Sequence, residues 1–111
     1  MATVLLASRN AAILSTRRLV VESAGHSTLQ ATDLGIALTI AKEQLPTLIV
    51  IGHTFPPGEQ DEFAKKLHAT HPEICVLLLR DNYVDPVRLL QECEAALQCA
   101  PGIAIVREMR D

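Results

Sequence analysis

The sequence is poor in aromatic residues: no tryptophan, and only Phe55, Phe63 and Tyr83 in 111 residues. Base-stacking platforms of the single-strand-binding kind need such rings, so their scarcity argues against that class. An excess of positive charge is also lacking. Ten Lys and Arg against thirteen Asp and Glu give a net charge of −3 and a pI near 5.8, whereas nucleic-acid modules usually carry a strongly basic face. The longest uninterrupted apolar runs, such as Leu48 to Ile51 and Ile74 to Leu79, fall far short of the ~20 residues that a membrane span requires. No basic segment precedes the apolar residues of the N-terminus, which reads as a first strand and not as a signal peptide. Cys75, Cys93 and Cys99 include no C-x-x-C pair, and an odd count does not suit a disulfide framework. The expectation is a reduced, cytoplasmic protein with neither nucleic acid nor membrane as partner.

What is present is a packed globular composition, 49% hydrophobic and 21% charged. A chain of this length can bury roughly 65% of its unfolded surface, enough for one core in one domain spanning residues 1–111. Strand-like and helix-like segments alternate. Val4 to Ala7 is a short apolar run. From Asn10 to about Ala24 apolar and polar residues mix at helical spacing, with Gly25 placed to end the helix. Ser27 to Ala31 is a weaker strand. Thr32 or Asp33 can cap a helix to about Gln44, which Pro46 closes. Leu48 to Ile51 is branched and uncharged, as expected of a parallel strand covered on both faces. Gly52 to Gly58 reads as a loop. The next helix orders Glu59, Asp61 and Glu62 before Lys65 and Lys66, matching the helix dipole. Ile74 to Leu79 is a further buried strand, Asp85-Pro86 opens a helix to about Gln98, and Ile103 to Val106 is a last apolar run. Five strands alternating with four helices predict an α/β fold with a parallel sheet and right-handed crossovers.

Several of these landmarks, in this order, resemble the receiver domain of bacterial response regulators. The first strand leads directly into a helix carrying Arg17-Arg18-Leu19. Ala31-Thr32-Asp33-Leu34-Gly35-Ile36-Ala37-Leu38 is similar to the family's opening of helix two. Leu45-Pro46-Thr47, the run Leu48 to Ile51, and Gly52-His53-Thr54-Phe55-Pro56 resemble its third strand and following loop. The resemblance covers residues 2 to 80 well and the remainder poorly. It implies a flavodoxin-like (CheY-like) three-layer sandwich with strand order 2-1-3-4-5.

The family's chemistry needs residues that this chain lacks. A receiver accepts a phosphoryl group on an aspartate ending strand three, assisted by Mg²⁺ held partly by an acidic pair after strand one. The pair's positions read Ser8 and Arg9, and the first carboxylate in the chain is Glu22. The acceptor position reads Gly52, with no Asp or Glu between Glu43 and Glu59. The family's lysine aligns with Arg107, and its hydroxyl residue with Arg80 or Leu79. The resemblance therefore implies a degenerate receiver, a pseudo-receiver independent of aspartyl phosphorylation, with no catalytic residue, cofactor or metal.

The final third departs further. Receivers end in a fifth helix, but only a short tail follows Val106, and Tyr83 to Leu90 itself looks like the entry to that helix. Either the final helix is missing, or it replaces helix four and strand five. In the first case an apolar face beside helix one stays open, marking an interface. A homodimer is expected there, with Leu89, Leu90, Cys93, Ile103 and Ile105 as contributors. Arg9, Arg80 and Arg107 fall at the carboxyl edge of the sheet, where an anion could be gripped if they are not paired with acids or solvent. His53 has no evident partner and reads as a loop residue. His68 and His71, three apart without Cys or acidic neighbours, make a poor zinc pair. Cys75 reads as core. The leading function is a signalling and protein-interaction module of a two-component-type system. The competing reading is a small anion- or nucleotide-binding domain or enzyme using the sheet's carboxyl edge.

Overall fold

A computed structural model describes residues 2–80, 86–98 and 101–106. Nine elements follow one another in the order β1 (Thr3–Ala7), α1 (Ala11–Ser23), β2 (Ser27–Ala31), α2 (Leu34–Gln44), β3 (Leu48–Ile51), α3 (Pro57–Thr70), β4 (Cys75–Leu79), α4 (Pro86–Gln98) and β5 (Ile103–Val106). All strand pairings are parallel, and the sheet order is β2-β1-β3-β4-β5. This is the flavodoxin-like, CheY-like fold expected from the sequence. Among the described residues no helix is long and apolar enough to cross a membrane.

The helix boundaries have local causes. Asn10 caps α1 by accepting from the N–H groups of Ala12 and Ile13, and Asp33 caps α2 by accepting from Ile36 at 2.7 Å. Gly25, at φ 90°, turns the chain out of α1 as only glycine does without strain. The loop expected to run to Gly58 is shorter. Pro57 and Gly58 belong to the first turn of α3, where a proline without N–H costs nothing because that donor has no helical partner.

Alternating strand residues divide the core in two. On one face Leu5, Ala7, Ile49, Ile51, Val76 and Leu78 pack under α2 and α3, together with Phe55, Phe63 and Leu67. On the other, Val4, Leu6, Leu48, Val50, Cys75, Leu77 and Leu79 pack under Leu14 and Val21 of α1 and Leu89 and Cys93 of α4. The helix between β4 and β5 thus shares a face with α1. His26, ahead of β2, hydrogen-bonds Glu94 of α4 at 2.7 Å and fastens the two helices' ends.

Three expectations are corrected by this placement. The steps β3→β4 and β4→β5 run the same way across the sheet, yet α3 and α4 lie on opposite faces, so these crossovers have opposite hands. The first three crossovers agree with one another, and the fourth is the exception to a uniformly right-handed chain. The face beside α1 is not open, because α4 covers it. Leu89 (2% exposed) and Cys93 (0%) are core residues and not interface residues, and Leu90 is half-buried. Ile103 and Ile105 are exposed, as expected, but they lie on the opposite face, in register with Val76 and Leu78 beyond the edge of α3.

A core seat for α4 predicts that Leu89→Ala lowers unfolding free energy by about 2–5 kcal/mol, the usual cost of a cavity at a buried leucine. Urea denaturation checks it, and a change below 0.5 kcal/mol would place Leu89 at the surface.

Candidate functional site at the carboxyl edge of the sheet

In open α/β sheets the ligand crevice lies outside the carboxyl ends of the strands, where the chain reverses its direction across the sheet. Here that edge is formed by Ser8 after β1, Gly52 after β3 and Arg80 after β4. Gly52 is held in place by its N–H, which donates to the Ala7 carbonyl at 2.8 Å. Below it, Gln60 of α3 is fully buried and donates from Nε2 to the carbonyls of Gly52 and Leu79, both at 2.9 Å. One amide therefore ties the ends of β3 and β4 together. Its Oε1 is buried without a partner among the described residues.

The volume above Gly52 is occupied. A Cβ there would sit 2.9 Å from the Ala7 carbonyl oxygen and 2.9 Å from a guanidinium nitrogen of Arg17. Arg17 is only 8% exposed and lies on the face of α1 that also carries Leu14 and Val21. Burial lowers its pKa from the ordinary arginine value, though a guanidinium stays protonated in proteins. Its hydrogen-bonding partner is the ring of His53, 3.5 Å from Nδ1. Burial, and then the neighbouring Arg17 charge, lower the His53 pKa, so the imidazole is neutral at pH 7 and its Nδ1 can accept from the guanidinium. No carboxylate forms an ion pair with Arg17 among the described residues.

The loop after β1 offers hydroxyl oxygens and no carboxylate. Ser8 is fully buried, and its Oγ lies 3.2 Å from Thr54 Oγ1 and accepts from the Asn10 N–H. Thr54 Oγ1 also accepts from the Arg9 N–H at 2.9 Å. Two hydroxyls thus join the β1–α1 and β3–α3 loops. Mg²⁺ wants several carboxylate or carbonyl oxygens in octahedral array. Next to a buried guanidinium these hydroxyls do not make such a site, and no cluster of metal-ligating side chains occurs among the described residues.

Two of the three arginines expected to grip an anion lie at this edge and are paired there with carboxylates. Arg9 lies 3.4 Å from Glu59 and over the Phe55 ring, and Arg80 pairs with Asp61. Both partners come from the first two turns of α3. Arg107 lies outside the described residues, as do Cys99 and Tyr83. Of the histidines, His68 bonds the Ile74 carbonyl and His71 bonds Thr70, so neither is poised as a ligand. The Cys93 thiol is pushed up to about 12 by burial and by Glu94 and Glu92, which leaves no reactive thiolate. Arg17 is the residue that sequence reasoning passed over. Its signal was its spacing of three from Leu14 and four from Val21, which puts a charge on the apolar stripe of the helix.

No family model matches the sequence, and no curated protein matches it. Solved structures do match in fold. A two-component response regulator of the LuxR family from an Aurantimonas species superposes with a TM-score of 0.78 at 20% identity, over 96% of this chain and 89% of that one. A response regulator receiver domain protein from Clostridium thermocellum gives 0.77 at 16% identity, over 87% and 94%. The receiver domain of the hybrid histidine kinase CckA gives 0.75 at 20% identity, over 86% and 99%. Identities this low establish the shared fold.

Two outcomes follow from the packing around Gly52. Gly52→Ala should cost about 1–3 kcal/mol, the usual penalty for forcing a methyl into filled space, because one of the atoms it meets is backbone; an unchanged urea midpoint would contradict this. The His53 pKa is lowered by folding, so the unfolded chain binds the proton first as pH falls. His53 thus contributes stability that is whole above its unfolded value of about 6.5 and declines as pH drops from there toward the folded value. Denaturation midpoints across that range should fall more steeply for the native chain than for His53→Gln, and parallel curves would refute the coupling.

Proposed function

We propose that this protein is a phosphorylation-independent pseudo-receiver, a non-catalytic module of a two-component-type regulatory system that acts through protein contacts in the cytoplasm. One observation carries this reading: the Arg17 guanidinium fills the space at Gly52 where a receiver places its acceptor carboxylate. A receiver site gathers acidic side chains around Mg²⁺ and switches when a phosphoryl group joins an aspartate. The corresponding volume here holds a permanent internal cation, two hydroxyls and a neutral imidazole. No acceptor is present, and the charge is already of the sign that Mg²⁺ would supply. The pocket is therefore fixed in one state, and the surface it supports is presented constitutively. The competing reading, an anion- or nucleotide-binding edge, loses support because Arg9 and Arg80 are each matched by an α3 carboxylate. Protein partners, a second copy among them, fit this reading, and nucleic acid does not.

Incubation with acetyl phosphate and Mg²⁺ should leave the intact mass unchanged, and beryllofluoride with Mg²⁺ should not shift the melting temperature. Gly52→Asp alone should remain unphosphorylated, because Ser8 and Arg9 cannot hold the metal and Arg17 would pair with the new carboxylate. A Mg²⁺-dependent acyl phosphate on the native chain would overturn the proposal.

A further inference from the structure

β5 is an edge strand whose two backbone sides differ. The Val76 N–H donates to the Gly102 carbonyl at 2.9 Å, and the Arg80 N–H donates to the Val106 carbonyl at 3.0 Å. Backbone groups alternate sides along a strand, so Gly102, Ala104 and Val106 face β4, and Ile103 and Ile105 turn both N–H and C=O outward. No strand pairs with that outer side among the described residues. Ile103 and Ile105 are 45% and 48% exposed, with their side chains on the face that α4 has left bare. Natural edges are usually guarded by a charge, a proline or a bulge. The run Ile103-Ala104-Ile105-Val106 has no charge or proline, and its register with β4 is unbroken.

We propose that β5 pairs antiparallel with β5 of a second copy, about a twofold axis through Ala104, to give a continuous ten-stranded sheet. The outward groups of Ile103 then exchange both hydrogen bonds with Ile105 of the second copy, and the twofold repeats the exchange. Ala104 faces its own equivalent as the non-hydrogen-bonded pair between them. Residues directly opposite in an antiparallel pair point to the same face. The same axis therefore gathers four isoleucine side chains on the bare face, so one operation satisfies the backbone and covers the apolar surface. This self-complementarity selects a second copy over a strand from another protein, and isologous twofold contacts are the commonest assembly. The inference deepens the protein-contact reading above by naming a partner and a surface.

Sedimentation of the full chain across a micromolar dilution series should show twice the 12.1 kDa chain mass. Ile105→Lys, at an exposed position, should keep the monomer's circular dichroism and weaken the dimer at least tenfold. In a Cys99→Ser background, Ala104→Cys should cross-link on mild oxidation, because non-hydrogen-bonded pairs place Cα atoms about 4.5 Å apart, within disulfide reach. Ile103→Cys in the same background should not, since it faces Ile105 and not itself. A single-chain mass at every concentration would overturn the pairing. So would a dimer that Ile105→Lys leaves intact, or cross-linking at 103 in place of 104. None of these outcomes bears on acetyl phosphate labelling, so the two proposals fail separately.

Discussion

A buried guanidinium is the constraint around which the carboxyl edge is arranged. Removing a charge from water costs several kcal/mol even after relaxation, and Arg17 meets no carboxylate in return among the described residues. Its surroundings adapt instead. Gly52 yields the volume of a side chain, His53 stays neutral and accepts, and Ser8 and Thr54 close the neighbouring loops with hydroxyls. The residues that make the site unlike an acidic metal pocket thus form one set. A carboxylate returned to Gly52 alone would enter a space shaped for its absence.

The second organising choice is the seat of α4. A helix linking parallel strands normally lies on the face that gives a right-handed turn, which here is the α3 face. Leu89 and Cys93 instead close the core over Leu77 and Leu79, and Glu94 reaches His26. Those contacts complete the layer beside α1, which would otherwise expose the inner side of β3 and β4. Burial of two core residues and a partly buried hydrogen bond opposes the cost of the unusual crossover. The consequence appears one strand further on, where Ile103 and Ile105 have no helix above them.

The order of elements and the strand order were legible because each element is locally consistent. The apolar runs of β3 and β4, the caps Asn10 and Asp33, and Gly25 all signal the same fold. The carboxyl ends of β1 and β3 were legible because the apolar runs stop at Ser8 and Gly52. The partners of Arg9 and Arg80 were not, because Glu59 and Asp61 lie 50 and 19 residues away along the chain, and long-range ion pairs leave no sequence pattern. Arg17 was hidden because it stands between Thr16 and Arg18 in a polar stretch, and arginines are seldom fully buried. The face taken by α4 was hidden because an amphipathic stripe states that a helix covers a sheet, without stating which side.

These two features bear on each other through the sheet. The Gly52 pocket and the β5 edge are separated by β4, whose C-terminal end is tied to β3 by Gln60 and to α3 by the Arg80–Asp61 pair. In a switching receiver, charge changes at the pocket must travel outward through such links to alter a surface. Here the Gln60 amide donates both its hydrogens to main-chain carbonyls, a connection that has no titratable or phosphorylatable member. The position of β4, and with it the register of β5, is held by these links at the carboxyl end of the sheet. On the pseudo-receiver reading proposed above, whatever engages the Ile103 and Ile105 edge meets one geometry, and its occupancy follows from concentration.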